Sequence, residues 1–234
     1  MNNKKINEDL INFWNSALII NDEDKKEYQK RELDYHNLSP SIKQFKALAN
    51  LKKCNNVLDY GCGTCWASII ASKSGANNIT AVDMGEEIIK TAKFYIDLYH
   101  TTNIKPLLIN EDWLKEENDN NYDGLICSNV LDVIPLETSK KIIKEFHRIL
   151  TNDAYIIISL NFYMTKEMQE KRNIQLVEDK YLFVNDILRL TNLSDDEWLD
   201  LFKPYFDLIN LDYYAWPNES KETRRLFILK KRVY

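Results

Sequence analysis

With 234 residues, 44% of them hydrophobic, and a net charge of −5, the chain is long enough for one domain with additions, or at most two. The acidic balance argues against nucleic-acid binding as the main role, because such binding runs on neutralising phosphates. No apolar run approaches the roughly 18 residues of a membrane span, polar residues from Glu8 to Ser16 interrupt any signal-peptide core, and four cysteines in a chain this long make no disulfide framework, so a cytoplasmic setting is expected.

Residues 1–51 form a polar extension without glycine. Ile11, Phe13, Trp14, Leu18 and Ile19 recur at roughly helical spacing, which predicts a helix with one buried face. The charged stretch 21–30 is expected to be solvated. A second helix is expected from Ser41, with Ile42, Phe45, Leu48 and Leu51 as its stripe. Trp14, Tyr28, Tyr35 and His36 read either as core packing or as parts of a lid.

Strands and helices then alternate. Strands are predicted at 56–60, 78–84, 104–110, 122–128 and 154–161, and helices at 66–74, 85–100 and 137–150. The strands are continuously apolar, which reads as a parallel sheet covered on both faces. Ligands of such sheets bind beyond the carboxyl ends of the strands. Residues 164–194 break the rhythm and are predicted to form a helical insertion over that end. Ser194 and Glu197 have capping-box spacing at the start of a helix. Two further strands, 206–216 and 225–232, flank a turn at 217–220. The basic run of the second reads as an edge strand with solvated charges.

The chain has only five glycines, and two of them fall in Asp59-Tyr60-Gly61-Cys62-Gly63-Thr64-Cys65-Trp66. A strand running into Gly-x-Gly and then a helix is a turn where backbone takes positive φ or lets a ligand approach closely. A dinucleotide fingerprint needs a third glycine where Trp66 stands, and Asp59 would repel a pyrophosphate. Asp59 suits a cationic ligand instead. Asp83, at the end of the next strand, stands where a ribose diol is usually held. Cys62 and Cys65 have no second cysteine pair to complete a zinc site, so they read as structural and no metal is expected.

Asp59, Gly61, Gly63 and Asp83 together resemble the class I S-adenosylmethionine-dependent methyltransferases, over roughly residues 55–160. Cys65 stands where that family usually has glycine. The resemblance implies an α/β, Rossmann-like, doubly wound sheet. It would have seven mostly parallel strands with an antiparallel C-terminal strand, an N-terminal helical lid (1–51) and a methyltransferase domain (52–234). It implies S-adenosylmethionine as cofactor, with S-adenosylhomocysteine as product. Asp59, with Tyr60, Gly61, Cys62 and Gly63, would take the methionine end, and Asp83 the ribose hydroxyls, unless Asp83 caps the following helix. Met84 would lie on the adenine face. Asp112, or Glu111 one residue before it, would receive the adenine amino group beside Trp113. Asn129 and Val130 would back the methionine moiety. Asp132, Tyr35 and His36 are the candidates for positioning the acceptor or taking its proton.

A small-molecule acceptor is expected, transferring to an oxygen, nitrogen, sulfur or carbon atom. A protein methyltransferase and a catalytically silent cofactor-binding subunit are the alternatives.

Overall fold

The protein is described by a computed structural model over residues 3–233. Strands β1 (Asn56–Tyr60), β2 (Asn78–Asp83), β3 (Ile104–Leu108), β4 (Tyr122–Ser128), β5 (Leu150–Leu160), β8 (Phe206–Tyr214) and β9 (Arg224–Lys231) make one sheet. Its order is β3-β2-β1-β4-β5-β9-β8. Only β9 runs against its neighbours, pairing antiparallel with both β5 and β8. This is the seven-stranded, mostly parallel Rossmann-like sheet that the family resemblance implied.

The strands read as continuous apolar runs because both faces are covered. Along β5, Ile156 and Ile158 enter one core and Ile157 the other. Along β9, Phe227 and Leu229 alternate in the same way with Leu226 and Ile228. Helices α3 (Ile42–Ala49), α4 (Trp66–Ser74) and α5 (Glu86–Leu98) cover one face. On the other lie α6 (Trp113–Glu116), α7 (Leu136–Ile149) and α9 (Asp195–Phe202), with Phe146, Trp198 and Phe202 at the centre of that core. The capping box at Ser194 and Glu197 is formed, each side chain bonding the other residue's backbone N–H.

Two expectations are corrected. The insertion is mostly not helical: it holds one short helix, α8 (Lys166–Lys171), and a β-hairpin of β6 (Tyr181–Val184) and β7 (Ile187–Thr191). Asn185 and Asp186 turn the hairpin with φ of 52° and 63°, the left-handed pair that a tight two-residue turn requires. The second C-terminal strand is not an edge. Strand β9 is internal and β8 takes the edge. Arg224, Arg225 and Lys231 are therefore buried, and they hydrogen-bond instead of reaching water. The charged stretch after residue 20 is solvated as expected, and within it lies a helix, α2 (Asp22–Tyr28), capped by the Asn21 side chain.

The N-terminal helix α1 (Asn3–Ala17) starts earlier than its apolar pattern suggested. Leu10 is buried beside Tyr181 and Leu188 of the hairpin. The Arg189 guanidinium sits 4.5 Å from the Phe13 ring and 5.1 Å from the Trp14 ring. At the C-terminal end of α1, the Asn15 side chain accepts the Glu87 N–H, and the Leu18 carbonyl accepts Thr91 Oγ. The helix thus bridges α5 and the hairpin across the carboxyl end of the sheet.

Candidate cofactor and acceptor site

Beneath α1 lies a cleft of about 700 Å³. Its floor is the row of loops that follow β1, β2, β3 and β4. Asp59, Tyr60, Gly61, Cys62 and Gly63 line it from the first loop, Asp83 and Met84 from the second, Glu111 and Asp112 from the third, and Asn129 and Val130 from the fourth. Residues far apart in sequence converge here because parallel strands all deliver their carboxyl ends to one edge of the sheet.

The first loop is tight for identifiable reasons. Gly61 and Gly63 have φ of 71° and 53°. A Cβ on Gly61 would stand 2.3 Å from Val130 Cγ2, so no larger residue fits without displacing the Val130 side chain of the fourth loop. The N–H groups of Gly61 and Cys62 both donate to the Val82 carbonyl. Cys65, where the family has glycine, is fully buried with φ of 61°. It thus adopts the left-handed conformation that glycine takes freely, and the loop keeps its shape.

Two carboxylates are sunk in this floor. Asp59 is 2% exposed and accepts Ser68 Oγ at 2.6 Å. Burial pushes its carboxyl up to about 7, opposed by the Ser68 hydrogen bond and helped by the nearby Asp83 charge. Asp83 is raised as well, again by burial, against three backbone hydrogen bonds from Gly63, Gly85 and Met84. It therefore ties the turns after β1 and β2 and also lines the cleft, but it does not cap α5, whose N-cap is Gly85. Asp112 is exposed and paired with Lys115 Nζ at 2.5 Å.

The remaining candidates fall elsewhere. Trp113 is the first residue of α6 and packs on the core, not on the cleft. Asp132 does not line the cleft. It is fully buried, its Oδ2 accepting the Asn161 N–H at 2.6 Å, with the Arg225 charge acting on it. Tyr35 and His36 lie in a 3₁₀ turn packed against α4, their rings against Phe45. His36 Nδ1 is 2.6 Å from Asp34. None of these three lines the cleft.

The structure adds lining residues that the sequence reading passed over. Glu137, Ile142 and Glu145 come from α7, Asn7 from α1, and Trp216 from the β8–β9 connection. A polar stripe on the face of α7 nearest the loops was the available signal for the first group. For Trp216 it was an aromatic residue at a strand's carboxyl end.

A methyltransferase-domain family model matches residues 51–207. The chain belongs to the class I S-adenosylmethionine-dependent methyltransferases. The chain is 31% identical over 134 residues to a ribosomal protein L11 methyltransferase of Thermotoga neapolitana, an alignment covering 56% of this chain and 47% of that protein. It spans about half the length of this relative, and less of several others.

Among solved structures, the PH0226 protein from Pyrococcus horikoshii OT3 superposes with a TM-score of 0.65 at 17% identity, over 86% of this chain and all of that one. The 1,6-didemethyltoxoflavin-N1-methyltransferase of Burkholderia thailandensis, solved with S-adenosylhomocysteine, gives 0.63 at 16% identity, over 86% of this chain and 81% of that one. At such identities the two share the fold. The expected small-molecule acceptor is corrected by the first comparison, since the curated relatives are enzymes named for a protein substrate.

The floor of this methyltransferase cleft fits the family's cofactor. The groups acting on Asp59 are Ser68 and Asp83, neither of them cationic, so a buried carboxylate waits for a positive partner. S-Adenosylmethionine carries an ammonium and a sulfonium and no phosphate. Among the described residues no group of His, Cys, Asp and Glu is placed to hold a metal, and no helix is long and apolar enough to cross a membrane.

Proposed function

We propose that this methyltransferase places methyl groups on a protein acceptor. The observation that carries the reading is the match to ribosomal protein L11 methyltransferases, 31% identical over 134 residues to the one from Thermotoga neapolitana. S-Adenosylmethionine, when bound, supplies an electrophilic methyl group on a sulfonium. The chain's own residues bind, orient and shield. Asp59 would pair with the methionine ammonium beside the bare backbone of Gly61 to Gly63. Asp83 would take the ribose hydroxyls, and Glu111 or Asp112 the adenine amino group, with Met84 against the ring. Asn129 and Val130 would back the methionine moiety.

The α1 helix, residues 3–17, roofs the cleft with Leu10, Ile11 and Trp14 and would exclude water from the reacting centre. Positioning of this kind is worth about 7–11 kcal/mol, so no obligatory general base is required of the lining. Incubation with tritiated S-adenosylmethionine and protein extracted from bacterial ribosomes tests the reading. Label is expected in acid-precipitable protein. Label confined to the soluble small-molecule fraction of a cell extract would overturn it.

A further inference from the structure

Trp216 is 42% exposed, yet it is held like a core residue. The Arg224 guanidinium lies 3.7 Å from the centroid of its ring. Arg224 is 6% exposed and donates through Nε and Nη2 to the Glu219 carboxylate at 2.6–3.0 Å. Glu219 Oε2 also accepts the backbone N–H of Trp216 at 2.9 Å. The remaining arm of Arg224, Nη1, donates to Asn161 Oδ1 at 2.5 Å, and that same oxygen receives Asn129 Nδ2 from the cleft floor at 3.4 Å. A buried cation therefore ties an exposed indole at the end of β8 to the fourth loop of the cofactor site.

Stability does not explain this arrangement. A buried ion pair roughly cancels its own desolvation cost, and an exposed indole gains little from being fixed. A side chain that is rigid and exposed, and that lines the cleft, is a prepared surface for a partner. The cofactor's expected anchors all lie on the loops after β1 to β4, whereas Trp216 reaches the cleft from the far, antiparallel end of the sheet.

We infer that Trp216 is a specificity-determining residue for the acceptor: the indole face turned away from Arg224 stacks on a flat, neutral group beside the methylated residue, an aromatic ring or a peptide plane. Arg224 and Glu219 are positioning residues behind it. A neutral group is preferred to a cation because the guanidinium already draws on the same ring quadrupole. The nature of the acceptor rests on the protein reading above. The placement of Trp216 does not.

The test uses the full chain with Trp216→Ala, Trp216→Phe and Glu219→Gln. It measures S-adenosylhomocysteine affinity by calorimetry and the apparent KM for protein extracted from bacterial ribosomes with tritiated S-adenosylmethionine. Trp216→Ala should raise that KM about two- to tenfold, the range of an aromatic contact, with kcat moving less. Trp216→Phe should recover most of the loss, and Glu219→Gln should shift KM in the same direction. An unchanged KM in Trp216→Ala overturns the inference. If no protein takes label, the protein-acceptor reading fails, and the titration still decides the placement. Unchanged cofactor affinity in Trp216→Ala then supports a role outside the cofactor site, and a clear loss of it overturns the inference.

Discussion

The backbone N–H of Gly63 donates to Asp83 Oδ2 at 3.1 Å. With the bonds from Gly61 and Cys62 to the Val82 carbonyl, it clasps the turn after the first strand to the end of the second. Asp83 Oδ1 meanwhile accepts the N–H groups of Met84 and Gly85, at 2.8 and 3.3 Å. The carboxylate proposed to hold the ribose is thus also the latch of the glycine loop.

Asp83→Ala should therefore lose cofactor affinity and stability together. A hydrogen bond to a charged group is worth about 1.5–3 kcal/mol, so calorimetry should show S-adenosylhomocysteine weakened by at least about tenfold, with a lower melting temperature. Asp83→Asn keeps one acceptor oxygen and should fall between. A lower melting temperature with unchanged affinity would leave Asp83 as a latch alone.

Asp59 makes the apo protein pH-sensitive. Its folded carboxyl is raised to about 7 by burial, above the ordinary value of about 3.9 in an unfolded chain. The folded state then holds the proton more tightly than the unfolded one. The stability tied to this group is present below about pH 4 and declines as pH rises to about 7. A cationic ligand reverses the preference by favouring the ionised form. Affinity for S-adenosylhomocysteine should accordingly rise from pH 5.5 to 7, with proton release visible as buffer-dependent calorimetric heats. Asp59→Asn should flatten that profile, weaken binding, and raise the apo melting temperature at pH 8. A flat profile in the wild type would remove Asp59 from the ammonium site.

The sheet was legible because both its faces are buried. Leu58 and Ile156 enter one core while Val57 and Ile157 enter the other, and that produces the unbroken apolar runs. The glycine loop and Asp83 were legible because backbone conformation and buried charge restrict residue type. What escaped depends on sequence-distant partners. The basic run in β9 looked solvated because Glu219, Asp195 and the Leu150 carbonyl, which receive its charges, are unrelated to it by spacing. The β6–β7 hairpin turns on Asn185-Asp186 without glycine, the weaker form of the signal. Asp132 had the position of a site residue after β4, but its side chain points to Asn161 and the Arg225 charge, beneath the floor.

That placement yields a separable prediction. Asp132→Ala removes the carboxylate whose charge faces the 1% exposed Arg225. Arg225 keeps its ion pair with Asp195, but the Asn161 N–H loses its acceptor, which costs about 1–3 kcal/mol, so the variant should melt lower. Its methyl transfer per folded molecule, measured well below the melt, should stay within a few-fold of wild type. A stable variant with transfer abolished would return Asp132 to the acceptor site.

Cys65 tests the loop. Its φ of 61° carries the cost of a left-handed non-glycine residue, about 1–2 kcal/mol. Cys65→Gly relieves it, while losing a small buried side chain and adding unfolded-state entropy of about 0.5–1 kcal/mol. Stability should change by less than about 1 kcal/mol, by denaturant unfolding, with cofactor affinity retained. Cys65→Ala keeps the strain and should be the less stable of the two.

The roof over the cleft can be removed without dismantling the core. Helix α1 touches the rest through the Leu10 cluster, the Arg189 stack on Phe13 and Trp14, and the bonds at Asn15 and Leu18. The segment after it is a different matter, because Tyr28 packs on Phe94 and Tyr95, and Tyr35 and Leu38 pack against the core that includes α4. A chain beginning at Asn21 should therefore still melt cooperatively, whereas one beginning at Ser41 should be markedly destabilised. In the Asn21 variant, Gly61, Gly63, Asp83 and Asp112 remain in place, and S-adenosylhomocysteine should bind with an affinity reduced by about tenfold or less, since what is lost is apolar cover and not a charged contact. Methyl transfer should fall much further, because the roof excludes water and confines the acceptor. Arg189→Ala, which loosens the roof without deleting it, should lie between the two in transfer rate and match wild type in melting within a few degrees. A cooperatively folded Asn21 variant with full transfer activity would show that α1 only packs on the hairpin.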